Sequence, residues 1–194
     1  MEDTHSIEEQ QIIADILNGN KQLYSVIVNR YKHRIFCFIQ GMGIPREDAE
    51  DLVQETFIRA YRKLASHRLD SSFSAWLYKI AVNQAIDARR RQKTWLPQEY
   101  IAHKEALNTP ENVMLQSEMI SEVHALLQVL KDEERLVILL RYTNELSYEE
   151  IANITGLSSH QVRNRLHRAK KRMKKALTEE VRDYELLEAS SNGR

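Results

Sequence analysis

An all-α fold built as two small helical domains is the architecture this sequence predicts, and three observations carry it. Apolar residues recur at i, i+3 and i+4 in one segment after another. Glycine and proline are scarce, 5 and 3 among 194 residues, which leaves few breaks for strands and turns. Thr94 to Asn112 loses the periodicity and holds Pro97 and Pro110, so it divides the chain. With 42% apolar and 29% charged residues, the chain has the composition of globular material rather than of disorder.

The first domain is expected over 8–93. A short helix near Glu8 to Leu17 precedes a long one, Asn20 to Met42, in which Leu23, Ile27, Tyr31, Phe38 and Met42 are spaced mostly by fours. Gly41 and Gly43 end it. Pro45 opens the next helix, where Ala49, Leu52, Val53, Thr56, Phe57, Ala60, Tyr61 and Leu64 give the strongest amphipathic pattern in the chain. A polar loop, Ser66 to Ser72, leads to a third long helix whose Phe73, Leu77, Ile80 and Ala81 can join the same core. After the linker at 94–112, a second domain is expected over 113–178. It begins with Leu115, Met119, Val123, Leu126 and Leu130 and continues through the apolar run Leu136 to Leu140. An acidic, frayed tail is expected at 179–194.

Within the second domain, two helix starts stand nine residues apart. Ser147 can cap a backbone N–H while Glu150 reaches back, and Ser158 with Gln161 repeats the arrangement. Gly156 sits where the first helix must stop with positive φ. In the second helix Val162, Leu166, Ala169, Met173 and Ala176 form one buried stripe. That leaves Arg163, Asn164, His167 and Arg168 together on the opposite face, with Lys170, Lys171, Arg172, Lys174 and Lys175 beyond them. It is the pattern of a helix-turn-helix offering side chains to base edges and phosphates. A solvated basic helix in an ordinary bundle is the rival reading, which two capping boxes and a turn glycine weigh against.

The formal charge is zero, but it averages segregated blocks. Acid gathers at Glu47, Asp48, Glu50, Asp51 and Glu55, and base at Arg89, Arg90, Arg91 and Lys93 and from Arg163 to Lys175. Trp76, Ile80, Asn83, Asp87 and Arg90 share one face of the third long helix, a mixture suited to stacking on bases and gripping the phosphates of an opened strand. Trp76 as a core residue beside a surface Asn83–Asp87 pair accounts for the same spacing.

Other chemistries find little support. Cys37 is the only cysteine, so no internal disulfide is expected. His33 and Cys37 lie four apart on one helix, yet two ligands without a second pair make a weak metal site. Asp48, Asp51 and Glu55 share a helix face but lack the further carboxylates or histidines of a metal-dependent nuclease. No nucleophile triad or glycine-rich phosphate loop appears. The expectation is a non-enzyme without metal or cofactor. With no signal peptide and no membrane span in the sequence, a cytoplasmic location and no membrane insertion are expected.

Four segments, AEDLVQETFIRAYRKL (Ala49 to Leu64), FSAWLYKIAVNQAIDARRR (Phe73 to Arg91), NTPENVML (Asn108 to Leu115) and the helix-turn-helix, together resemble the extracytoplasmic-function class of bacterial RNA polymerase sigma factors, in that family's order. The resemblance implies two helical domains, region 2 and region 4, on a flexible connector that threads toward the polymerase cleft. Lys131 departs from it, standing where many relatives carry proline. The resemblance further implies that Asp48, Asp51, Leu52, Gln54, Glu55, Ile58 and Arg59 meet the beta-prime clamp helices of core RNA polymerase, with region 4 near the beta flap. It implies a single-stranded -10 site from Arg68, Asp70, Ser71, Ser72, Phe73, Trp76, Asn83, Arg89, Arg90 and Arg91, with one base held out of the stack. It places Ser159, His160, Arg163, Asn164, His167, Arg168 and Lys171 over duplex -35 DNA, and adds a restraining anti-sigma factor, often membrane-anchored. Two other hypotheses compete. A free-standing, dimeric helix-turn-helix regulator leaves the first two motifs without a role, and a nuclease needs a carboxylate set that is not evident.

Overall fold

The computed structural model describes residues 2–68, 71–95 and 122–191. Its elements are α1 (Glu2–Leu17), a 3-10 turn (Lys21–Leu23), α2 (Tyr24–Gly41), α3 (Arg46–Lys63), a 3-10 turn (Leu64–Ser66), α4 (Phe73–Trp95), α5 (122–128), α6 (Asp132–Tyr142), α7 (Tyr148–Thr155) and α8 (Ser159–Ser191). No strand occurs among the described residues.

The first half is a bundle of α1 to α4. Ile13, Ile27, Ile35, Phe38, Ala60 and Leu77 are completely buried at its centre. Pro45 caps α3 rather than opening it, since a residue at φ -55° and ψ 153° lies just outside the helix. The long helix expected from Asn20 starts with the 3-10 turn and becomes α-helical at Tyr24, whose hydroxyl donates to the Phe57 carbonyl at 2.7 Å and ties α2 to α3. On α4, Phe73, Leu77 and Ala81 are buried as expected, but so are Tyr78, Val82 and Ala85. The wider apolar face has a tertiary cause, because α4 packs on α2 and α3 and also on α7 of the second half.

In the second half, α6 carries the run Leu136 to Leu140, buried all round as expected of a helix enclosed by neighbours. It lies against α2, α7 and α8. The two capping boxes form: Ser147 N–H donates to Glu150 Oε2 at 2.8 Å and Glu150 N–H to Ser147 Oγ at 3.1 Å, while Ser158 and Gln161 exchange bonds of 2.9 and 3.2 Å. Gly156 ends α7 at φ 73°, a left-handed conformation that a Cβ would strain. One expectation is corrected. The 179–194 segment does not fray at its start, for α8 runs on to Ser191, with Lys175 Nζ 3.5 Å from Glu179 across one turn. The linker at 94–112, beyond Trp95, lies outside the described residues, as do Leu115 and Met119.

The halves touch. Gly41 at the end of α2 lies against Leu139 of α6, where a Cβ would fall 2.6 Å from Leu139 Cδ2. Arg89 of α4 donates from Nη1 to the Met42 carbonyl at 2.9 Å and from Nη2 to Asp132 Oδ1 at the start of α6 at 2.7 Å.

Candidate nucleic-acid interface

The face of α8 is set by its buried side. Val162, Leu166 and Ala169 are 0 to 3% exposed against α6 and α7, which turns Arg163, Asn164, His167, Arg168 and Lys171 outward. His160 is exposed too and lies 3.3 Å from the Asn164 amide, while Ser159 is half-buried. The backbone amides at the start of α8 and the cations along it form a surface for base edges and phosphates. Two tyrosines that the sequence reading passed over line it. Arg141 and Arg163 lie over the Tyr148 ring at 5.4 and 5.9 Å, and Lys170 over Tyr142 at 5.1 Å. A hydrogen bond with the Tyr142 hydroxyl raises the Lys170 pKa.

The -10 set divides. Ser71, Ser72, Asn83, Arg90 and Arg91 are exposed, as is Arg68. Trp76 is half-buried, in a tilted cluster with His67 at 5.2 Å and Phe73 at 5.5 Å. Phe73 is a correction to this set alone, since its burial is what its place in the core stripe predicts. At 3% exposure, edge-on to Tyr31 and His67, it lies beneath the surface. Arg89 is a second correction, because its guanidinium is turned to Met42 and Asp132 and not to the outer face of α4. Asp70 lies outside the described residues.

On α3, burial of Ala49, Thr56, Phe57 and Ala60 leaves Asp48, Asp51, Gln54, Ile58 and Arg59 exposed and Leu52 and Glu55 half-buried, all on one side. Arg59 Nε meets Glu55 Oε1 at 2.6 Å, and Ile58 remains 45% exposed. An acidic face with a few apolar contacts fits a basic, partly apolar protein partner. A groove separates it from α4, lined by Leu52, Glu55 and Arg59 on one wall and Gln84, Asp87, Arg90 and Arg91 on the other.

An acidic residue of the second half also reaches the start of α4, which sequence spacing could not reveal. Glu150 interacts with the Ser72 hydroxyl. Partial burial alone raises its carboxyl, but hydrogen bonds from the Ser147 backbone and from the Ser72 and Ser147 hydroxyls, with Arg141 nearby, outweigh that and hold it below the usual range.

At the His33–Cys37 pair, burial pushes the Cys37 thiol up and its sulfur is 3.7 Å from His33 Nδ1; no group of three or more His, Cys, Asp or Glu among the described residues is placed to hold a metal. No helix among the described residues is long and apolar enough to cross a membrane.

Residues 27–94 match the family model for Sigma-70 region 2 and residues 120–173 that for Sigma-70, region 4. The chain is 34% identical over 187 residues to the RNA polymerase sigma-H factor of Pseudomonas aeruginosa, covering 91% of this chain and 97% of that protein. It is 34% identical over 178 residues to the ECF RNA polymerase sigma-E factor of Escherichia coli K12, covering 86% and 93%. Among solved structures it is similar to CnrH in complex with the cytosolic domain of CnrY, with a TM-score of 0.69, 26% identity and coverage of 87% of this chain and 96% of that one. It is also similar to RpoE in complex with the anti-sigma factor NepR from Bartonella quintana, at 0.64 and 25%, covering 81% and 96%.

Proposed function

Since this chain belongs to the sigma-70 family of RNA polymerase sigma factors, in its extracytoplasmic-function class, we propose a division of its surfaces among three partners. The chain is a promoter-specificity subunit that binds core RNA polymerase, recognises the -35 and -10 elements and promotes strand opening. The α3 face (Asp48, Asp51, Leu52, Gln54, Glu55, Ile58, Arg59) docks on the polymerase clamp, where charge pairing sets orientation and encounter rate. The α8 face (Arg163, Asn164, His167, Arg168, Lys171) reads duplex -35 DNA. Ser71, Ser72, Trp76, Asn83, Arg90 and Arg91 receive the unpaired -10 strand, which supplies the few kcal/mol needed to take a base from the stack. Phosphodiester chemistry belongs to the polymerase core, and the chain acts where polymerase acts, in the cytoplasm. An anti-sigma factor is a further partner, and tethering to a membrane would come through it.

The observation that carries this reading is the pair of outward faces on separate halves, acidic on α3 and basic on α8, each fixed by a buried stripe behind it. The two DNA elements lie roughly 25 base pairs apart, about 85 Å at 3.4 Å per step. A folded chain of 194 residues has a radius of gyration of about 16 Å. In the closed arrangement, with Arg89 paired to Asp132, the halves cannot reach both elements, so loading on polymerase draws them apart. Fluorescence anisotropy on promoter duplex tests this: the chain alone should bind weakly, and the chain with core polymerase tightly and with sequence preference. Tight, dimeric binding of the free chain would instead favour the helix-turn-helix regulator.

A further inference from the structure

Among the described residues of α3 and α4, the buried polar side chains are Thr56 and Gln84, 0% and 4% exposed, which face each other where the two helices meet. Thr56 has one hydroxyl proton, and it goes to the Leu52 carbonyl at 2.7 Å, an ordinary bond back along its own helix. The Gln84 amide therefore donates. Its Nε2 reaches Thr56 Oγ1 at 3.0 Å and the Leu52 carbonyl at 3.1 Å, and its Oε1 accepts from Arg59 Nε at 3.2 Å. The reverse orientation would set the Nε2 donor against the Arg59 donor and the Oε1 acceptor against the Leu52 carbonyl.

A methionine or leucine would fill this position without any polar group to desolvate, so packing alone does not call for an amide. What the amide adds is a link from α4 to an exposed side chain on α3. The single Nε–H of Arg59 is shared between Gln84 and Glu55, at 3.2 and 2.6 Å. Only the Nη donors of that fork are then left for a partner, and the guanidinium is held at its inner edge before any partner arrives. We infer that Gln84 is a positioning residue for polymerase docking, a buried amide on the promoter-facing helix that fixes the Arg59–Glu55 pair on the docking helix in one geometry. The inference rests on the clamp assignment of Arg59 and Glu55 made above. It gives affinity through preorganisation rather than through a contact of its own.

The test is a double-mutant cycle on binding of the full chain to core polymerase, with thermal midpoints measured in parallel. Gln84→Met should weaken binding by roughly 3- to 10-fold, about the net contribution of one ordinary hydrogen bond, with an unchanged or higher midpoint. Arg59→Ala should weaken binding too, and Gln84→Met should then add nothing. Gln84→Glu keeps an acceptor for Arg59, so it should retain most of the affinity even though a buried carboxylate lowers the midpoint; a purely structural role would order the two variants the other way. If Arg59→Ala weakens binding and Gln84→Met does not, or if the two losses simply add, the positioning role is wrong. If Arg59→Ala leaves binding unchanged, the clamp assignment of Arg59 fails and this inference with it.

Discussion

Gly41→Ala should open the molecule. In an isolated helix the change is favourable by up to about 1 kcal/mol, because alanine loses less backbone entropy. Here the added Cβ falls 2.6 Å from Leu139 Cδ2 and 3.0 Å from Cδ1, whereas carbon pairs settle at roughly 3.5 to 4.0 Å. The overlap of about 1 Å is met only when the halves are together, and Leu139, 6% exposed, has little room to yield. Overpacking of this kind costs about 1 to 3 kcal/mol, which shifts the closed-to-open ratio by about 5- to 150-fold. Energy transfer between dyes on exposed positions of α3 and α8, in a Cys37→Ser background, reads the shift directly. The variant should show lower transfer and equal or tighter binding to core polymerase, and adding Leu139→Ala should restore transfer. Unchanged transfer in Gly41→Ala would refute the closed contact as a determinant of the domain arrangement.

Other surfaces give separate tests. Arg163→Ala or Arg168→Ala should weaken -35 recognition by about 1 to 3 kcal/mol while core binding survives, measured by competition between promoter and scrambled duplexes; equal loss on both would mean phosphate contact alone. Asp51→Arg with Glu55→Arg should abolish co-purification with core polymerase, and undiminished recovery would remove the clamp assignment. Ser147→Ala should cost about 1 kcal/mol of stability through the lost cap, read by denaturant midpoint. Glu150 has a folded pKa below its unfolded value, so its contribution is present above the unfolded pKa and is lost as pH falls through the folded one. Glu150→Gln should therefore flatten the acid limb of the stability profile, and a limb identical to the native chain's would contradict the shift.

Local signals were the readable ones. Ser147, Glu150, Ser158, Gln161 and Gly156 each act within four residues, and all five fall where spacing puts them. The outward faces of α3 and α8 follow from periodicity, since burying Phe57 or Leu166 fixes what faces away. Long-range pairing was not readable. Nothing in DARRR tells Arg89 from Arg90 and Arg91, and it takes the packing of α6 against α2 to bring Asp132 to Arg89. Phe73 was legible as core from its spacing, and the closure of Tyr31 and His67 over it removes it from the ligand surface that the family resemblance implied. Thr56 already stood in the buried stripe of α3, but its partner Gln84 was hidden in the same way, because it reads as an ordinary polar position until the two helices meet. Past Leu177 the acidic composition suggested an end, whereas the 3.5 Å Lys175–Glu179 pair accompanies a helix that simply continues.

The most direct measurement is run-off transcription by purified core RNA polymerase on a library of promoter fragments, with and without this chain. The chain should direct initiation at a subset of fragments that share a -35 and a -10 element, and Arg163→Ala should shift or erase the -35 preference within that subset. Transcript starts that are the same in the presence and absence of the chain would contradict its role as a promoter-specificity subunit.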